Sequence, residues 1–178
     1  WGSEYTSKTV ACDRILNDGD ILQLGIQEWT VLITPGHHPG HVCLSSSAGI
    51  VAGDMVAGIG TILIPPGTGD MDVYIEQLER LRELNPHLLF PSHGPVIPLP
   101  ERTLSYYIKH RKQRHQKVLD AVENGHKTIS AIATMAYSDS PDAHPGLAQD
   151  QTLAHLLSHE RRGLVEQQSN GWNLRGVE

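Results

Sequence analysis

The sequence has few cysteines and no long apolar run. Its 178 residues include two cysteines, Cys12 and Cys43, which are too few for a cysteine-rich zinc site and are expected to stay reduced. No apolar run approaches the ~20 residues that a membrane-spanning helix needs, and no signal-peptide pattern is present. With 39% hydrophobic and 19% charged residues, the composition is typical of a globular protein. We therefore expect a cytoplasmic protein that has no membrane partner.

Common motifs for serine catalysis and for phosphate binding are also missing from the sequence. No G-x-S-x-G pattern supplies a serine nucleophile. The glycines at 58–60 and 67–69 do not form either of the phosphate-binding glycine patterns.

The first residue is Trp1 rather than methionine, so we expect a further segment upstream.

Charge divides the chain into two parts. Residues 1–100 hold four Lys and Arg against eleven Asp and Glu, whereas residues 101–178 hold ten against nine. Three prolines fall within residues 95–100, which is typical of a connector. These features predict two domains, at residues 1–98 and 99–178.

The apolar periodicity predicts a different class of structure for each part. In the first, short strands at 21–24, 29–33, 42–46 and 50–52 precede a helix at 71–84 and a strand at 88–90, which indicates an α/β fold. In the second, we expect helices at 101–123, from Thr128 to Ala136, and around 147–162. A hairpin turn at Asn170-Gly171 then ends the chain. Helices followed by a small hairpin suggest a winged-helix-like domain.

Side chains that favour metal ions follow three of the predicted strands. Residues 34–41, Thr-Pro-Gly-His-His-Pro-Gly-His, form a loop after the second strand. Asp54 follows the fourth strand, and His93 follows the strand at 88–90. Because functional groups gather where strands end, these imidazoles and the carboxylate are candidate ligands for zinc or a similar divalent ion.

The order Thr-Pro-Gly-His, Gly-Asp and Ser-His-Gly-Pro resembles the later motifs of metallo-β-lactamase-fold hydrolases. The stretch at 107–111, Tyr-Ile-Lys-His-Arg, is similar to the β-lactamase-like protein 2 group, which includes single-strand endoribonucleases and thioesterases. The resemblance implies the C-terminal portion of an αβ/βα sandwich and a centre of two divalent ions, with zinc expected. It also implies that His37 binds the first metal, His93 binds the second, and the catalytic residue Asp54 bridges both.

The family's first ligand block, His-x-His-x-Asp-His, is absent from the 178 residues. The resemblance therefore implies an incomplete metal-dependent hydrolase, inactive alone, whose complete form would cleave phosphoesters or thioesters with metal-bound hydroxide. The expected substrate is a small-molecule ester or thioester, or single-stranded RNA. We expect an N-terminal segment or a second subunit to complete the fold, and the chain to form homo-oligomers. A degenerate, non-catalytic paralogue remains an alternative.

Other polar side chains have less specific interpretations. His41 is expected to orient the loop that carries His37. His155 and His159, four residues apart on one helix, are expected to form a surface pair. A basic helical run is either a solvated face or an anion-binding site formed by Lys109, Arg111, Lys112 and Arg114. The second interpretation would suit a non-catalytic winged-helix module that binds nucleic acid or protein.

Overall fold

The structure, a computed structural model, describes residues 12–176. A mixed five-stranded sheet occupies the first half of the described chain. Its neighbouring strands are antiparallel except for the last pair, which is parallel. The strands lie side by side in the same order as they follow along the chain. They are β1 (Ile21–Leu24), β2 (Gln27–Ile33), β3 (Val42–Ser46), β4 (Gly49–Gly53) and β5 (Leu89–Pro91). Both cysteines are free, as expected.

Four helices and a hairpin complete the described chain. They are α1 (Met71–Glu83), α2 (Pro100–Glu123), α3 (Ile129–Ala136), α4 (Pro145–Arg161), β6 (Val165–Gln168) and β7 (Gly171–Leu174). The predicted α/β character of the first part and the helical character of the second are confirmed. Within residues 12–176, no helix has the length and apolarity required to cross a bilayer.

Helix α1 forms for reasons that are visible in its sequence. The Asp70 carboxylate accepts hydrogen bonds from the first free amides of the helix, those of Asp72 and Val73, at 3.0 and 3.2 Å. One stripe of the helix, formed by Tyr74, Leu78 and Leu81, is completely buried. The helix therefore packs its apolar face onto the sheet and leaves its capped N-terminus beside the loop that follows β2.

Two buried clusters stabilise the protein, and α2 contributes to both. Leu104, in the first half of α2, belongs to the cluster that contains the sheet and α1. Val118, in the second half, belongs to a cluster with α3, α4 and the hairpin. Helix α2 therefore joins the α/β part to the helical part through shared packing, because its first turns are buried in the core of the α/β part.

The sheet face opposite α1 carries apolar side chains, and those from β3 to β5 are less completely covered. Alternation along the strands places Leu44, Val51 and Phe90 on this face, where they are cross-strand neighbours. Val51 is 39% exposed, while Leu44 and Phe90 are half-buried. This face has the composition of an interior surface.

The final hairpin turns one residue earlier than predicted. Gln168 pairs with Gly171, so the two-residue turn is formed by Ser169 and Asn170 rather than by Asn170 and Gly171. Gly171 has a φ of 113°, and a Cβ there would lie 2.5 Å from the Lys127 carbonyl oxygen. The glycine is required by this close approach to the α2–α3 connection, and not by the turn itself.

Candidate metal centre

The loop after β2 is fixed by a glycine that packs against α1. Gly36 has a φ of 129°, which is a conformation open to glycine, and a Cβ added there would lie 2.4 Å from the Tyr74 Cα. Its carbonyl oxygen accepts a hydrogen bond of 2.7 Å from the Asp70 amide. The loop is therefore held on the N-terminal turn of α1, and this contact determines the direction of the next residue, His37.

His37 is oriented by a backbone carbonyl from a distant segment. Its Nδ1 lies 2.7 Å from the Leu63 carbonyl oxygen. A carbonyl oxygen only accepts hydrogen bonds, so Nδ1 carries the hydrogen and the lone pair is on Nε2. That Nε2 lies 3.7 Å from Asp54 Oδ2. The imidazole therefore presents its metal-binding nitrogen towards the Asp54 carboxylate.

Asp54 lies between two imidazoles. One carboxylate oxygen, Oδ2, faces His37, and the other, Oδ1, lies 3.3 Å from His93 Nε2. Oδ1 is buried and no hydrogen bond satisfies it among the described residues. A buried carboxylate oxygen without a donor is unfavourable unless a cation or another donor compensates it. The predicted convergence of these three side chains is therefore present in the structure.

The three side chains line one open cavity of about 610 Å³. His93 follows β5 and is mostly exposed, whereas His37 and Asp54 are more enclosed. The rest of the lining comes from a segment without regular secondary structure, namely Thr61, Ile62, Leu63, Pro65 and Thr68. These residues carry no ligand-type side chain, and the sequence offered no motif that would have identified them.

His41 supports Asp54 through the backbone. Its Nε2 accepts a hydrogen bond of 3.0 Å from the Asp54 amide, so its Nδ1 carries the hydrogen and donates to Thr34 Oγ1 at 2.8 Å. Burial, followed by the nearby His37, lowers the pKa of His41, and this favours the neutral form that can accept a hydrogen bond. His41 is expected to orient the loop of His37, to which it belongs. In the structure it also contacts the backbone of Asp54, the expected bridging residue.

The donors fit divalent metal chemistry in type but not in number. Imidazole nitrogens and a carboxylate that offers one oxygen to each side suit two adjacent cations. Each side nevertheless has two protein donors, whereas a catalytic zinc usually has three. Across residues 12–176, no group of three or more His, Cys, Asp or Glu side chains has the arrangement of a metal site. The described residues therefore offer two donors at each of two adjacent positions, one fewer than a catalytic zinc usually has.

The basic run of α2 does not form a common anion-binding surface. Arg111 and Arg114 are only 2% and 4% exposed. Arg111 donates to uncharged oxygens, whereas Arg114 forms an ion pair of 3.0 Å with the Asp139 carboxylate. Lys109 and Lys112 are exposed, but Lys112 pairs with Glu79 at 2.6 Å. The alternative of an anion-binding site formed by all four residues is therefore corrected, because helical spacing turns the two arginines into the core.

The expected surface pair of His155 and His159 is also wrong. Both residues are buried, at 0% and 1% exposure, and both contact His115 of α2. Their position four residues apart on α4 follows the buried face of that helix. The polarity of histidine misled the prediction, since the sequence does not reveal that a third imidazole approaches from α2.

The chain is related to proteins of a known superfamily. The sequence pattern of the Metallo-beta-lactamase superfamily matches residues 4–93, which is half of the chain. The chain belongs to this superfamily. The superfamily consists in general of hydrolase-type enzymes that commonly bind divalent metals, and the solved structure of a metallo-β-lactamase family protein from Thermus thermophilus shares the fold. That protein is 22% identical with a TM-score of 0.75, over 90% of this chain and 54% of the other.

Curated relatives agree with this assignment. A β-lactamase-like protein 2 homolog from Drosophila melanogaster is 32% identical over 137 residues, covering 75% of this chain and 46% of the relative. An atrochrysone carboxyl ACP thioesterase from Aspergillus fumigatus is 29% identical over 109 residues, covering 60% of this chain and 33% of that protein. The chain spans about half the length, or less, of the curated relatives it matches.

Proposed function

We propose that this chain contributes His37, Asp54 and His93 to the metal centre of a hydrolase that cleaves phosphoesters or thioesters. The observation that carries the proposal is the Asp54 carboxylate, whose two oxygens face different imidazoles at 3.7 and 3.3 Å. A carboxylate in this position can hold two cations at a fixed spacing. Its unsatisfied buried oxygen supports the same interpretation.

Each residue has a defined task in this proposal. His37 and Asp54 hold one cation, for which zinc is the expected metal, and His93 and Asp54 hold the other. Bound divalent ions supply Lewis acidity and lower the pKa of water towards ~7. The Leu63 carbonyl keeps the His37 lone pair on Nε2, and His41 holds the Asp54 backbone in place. These contacts prepare the donors before a metal arrives.

The remaining ligands must come from outside the described residues, because each cation position has two protein donors here. We propose that a further polypeptide segment or a second copy of the chain supplies them and covers the apolar sheet face around Val51. The partial match to longer relatives supports this arrangement. The isolated chain should therefore bind metal weakly and hydrolyse substrate only once the centre is complete.

A small-molecule ester or thioester is the substrate class that we favour. The cavity of about 610 Å³ lies within the range typical of small-ligand sites. One relative is named as a thioesterase, which supports the thioester alternative over the phosphoester alternative. Hydrolysis of S-phenyl thioacetate and of bis(p-nitrophenyl) phosphate by the completed protein would separate the two classes. Turnover of the phosphate diester alone would contradict our preference.

Calorimetric titration with Zn²⁺ tests the metal centre directly. We expect weak but measurable binding by the chain, and loss of that binding in Asp54→Ala. Asp142→Ala is the matched control, since Asp142 is an exposed carboxylate in the α3–α4 connection. Equal Zn²⁺ binding by Asp54→Ala and the wild-type protein would overturn the proposal.

The alternative is that residues 99–178 form a winged-helix-like module that binds nucleic acid or protein. Burial of Arg111 and Arg114 leaves this alternative with less support. A titration of single-stranded RNA at two salt concentrations tests it. Binding through many phosphate contacts would weaken by about 10³-fold between 50 and 200 mM salt, whereas we expect no strong binding at either concentration.

A further inference from the structure

The wall of the candidate metal centre has almost no support from its own backbone. Among the described residues, no backbone–backbone hydrogen bond involves residues 61–64, which have no regular secondary structure. Leu63, whose carbonyl orients His37, lies in the middle of this segment. Buried backbone groups normally need partners, so other groups must hold the segment.

Two side chains from the helical part provide that support. Gln151 of α4 forms a pair of hydrogen bonds with the backbone of Ile64: it accepts from the amide at 3.2 Å and donates to the carbonyl at 2.9 Å. Arg111 of α2 donates to the Ile62 carbonyl and to Thr61 Oγ1. The residues on both sides of Leu63 are therefore held by the helices.

The two supporting side chains are also joined to each other. Arg111 Nη1 donates to Gln151 Oε1 at 2.9 Å, and the two residues are 2% and 6% exposed. The guanidinium lies 5.4 Å from the Tyr74 ring centroid, and Tyr74 belongs to the α1 turn that packs on Gly36. Both terminal nitrogens of the Arg111 guanidinium have acceptors, although its buried Nε has none among the described residues. Buried hydrogen bonds of this kind favour one arrangement over its alternatives, because displacement of either side chain leaves further donors unpaired.

We propose that Gln151 and Arg111 are positioning residues of the metal centre, which hold the Leu63 carbonyl where it fixes the tautomer of His37. This proposal rests on the proposed function, because the tautomer of His37 matters for metal binding: it determines whether Nε2 has a free lone pair for a cation. It assigns the helical part a role in the site itself, in addition to any role as a separate module. Histidines that bind metals depend strongly on such supporting hydrogen bonds.

The decisive measurement is the tautomer of His37 in metal-free protein, observed by two-bond ¹H–¹⁵N correlation spectra of the imidazole. His37→Ala identifies the signal. The wild-type protein should show the Nδ1–H tautomer. In Gln151→Leu, the ratio of the Nδ1–H to the Nε2–H tautomer should fall by roughly fivefold, which is the factor that one hydrogen bond contributes. Amide spectra establish that the variant is folded.

Two further variants complete the experiment. Gln151→Glu keeps an acceptor for the Ile64 amide and for Arg111, so it should retain more of the Nδ1–H tautomer of His37 than Gln151→Leu. It also tests the proposal if Gln151→Leu folds poorly. Gln149→Leu makes the same change on the same helix without touching residues 61–64, and should leave the tautomer unchanged. An unaltered His37 tautomer in folded Gln151→Leu would overturn the proposal.

Zn²⁺ affinity provides a second, separate readout. Gln151→Leu should weaken Zn²⁺ binding by about 10- to 100-fold relative to Gln149→Leu. If the wild-type protein binds no Zn²⁺ while the tautomer responds to Gln151, the proposed function fails but the positioning role stands. If Zn²⁺ binds and the tautomer does not respond, the positioning role fails and the proposed function stands.

Discussion

His115 and His155 face each other with their Nδ1 atoms 3.1 Å apart in the interior between α2 and α4. His159 stacks on His115 at a centroid distance of 3.7 Å and donates from Nε2 to the His115 carbonyl oxygen. Each of the three rings retains one buried nitrogen without a partner among the described residues. Burial lowers the pKa of each of these histidines, and that of His115 falls to about 3.

This cluster predicts that the protein loses stability in mild acid. The folded state keeps the three imidazoles neutral, whereas the unfolded chain takes up protons below its ordinary histidine pKa of about 6.5. The free energy of unfolding should therefore be highest above that pH and decrease as the pH falls towards the lowered pKa values. For His115 alone the loss between pH 7 and pH 5 is about 1 to 2 kcal/mol. Asp72 opposes the shift and Arg162 reinforces it.

Urea denaturation at a series of pH values measures this effect. His115→Gln should flatten the pH dependence, because it removes one of the groups that take up a proton only on unfolding. The control is His144→Gln, since His144 is exposed at the start of α4. Equal pH dependence in His115→Gln and the wild-type protein would contradict the explanation.

Gly36→Ala should destabilise the loop of the metal centre. The added methyl group would meet the Tyr74 backbone at 2.4 Å, and the φ of 129° is unfavourable for alanine. We expect a loss of about 3 kcal/mol or more in the free energy of unfolding. Gly67→Ala is the matched control, because it has a positive φ but open space around the new methyl group, and should cost about 1 to 2 kcal/mol. Equal losses would show that the contact with Tyr74 does not matter.

Local patterns in the sequence predicted most elements of the fold. The helix cap at Asp70 and the stripe at Tyr74, Leu78 and Leu81 are properties of adjacent residues, and both are confirmed. The strand ends that carry His37, Asp54 and His93 were recognisable because glycines and prolines mark them. The hairpin turn was misplaced by one residue because the requirement for Gly171 arises from a contact with Lys127, which is distant in sequence.

The support of the site could not be predicted, because it depends on contacts between distant residues. Gln151 and Ile64 are 87 positions apart, and nothing in a single sequence connects them. The charged helical run around Arg111 predicts a solvated or anion-binding face, because charged residues are rarely fully buried. The polar residues of α2 and α4 were therefore assigned to the surface, although several of them lie in the interior.

His41→Ala should weaken the connection between the two loops of the metal centre. The substitution leaves the Asp54 amide without its acceptor and Thr34 without its donor. We expect a loss of roughly 1–3 kcal/mol in the free energy of unfolding, and a decrease in Zn²⁺ affinity. His38→Ala, which alters an exposed histidine of the same loop, is the control for both measurements. A stability loss without any change in Zn²⁺ affinity would confine His41 to a structural role.

The sheet face opposite α1 predicts self-association of the chain or binding of a covering segment. Val51 is 39% exposed there, beside the half-buried Leu44 and Phe90, and contiguous apolar surface of this kind favours association. Light scattering should give a mass above that of the 19.6 kDa monomer for the chain alone. Val51→Lys should restore the monomer, because a charge at the centre of an apolar contact carries a large desolvation cost. Met135→Lys changes a 45% exposed side chain on α3 and should leave the association intact. A wild-type protein that remains monomeric at high concentration would contradict self-association and leave a covering segment as the partner of this face.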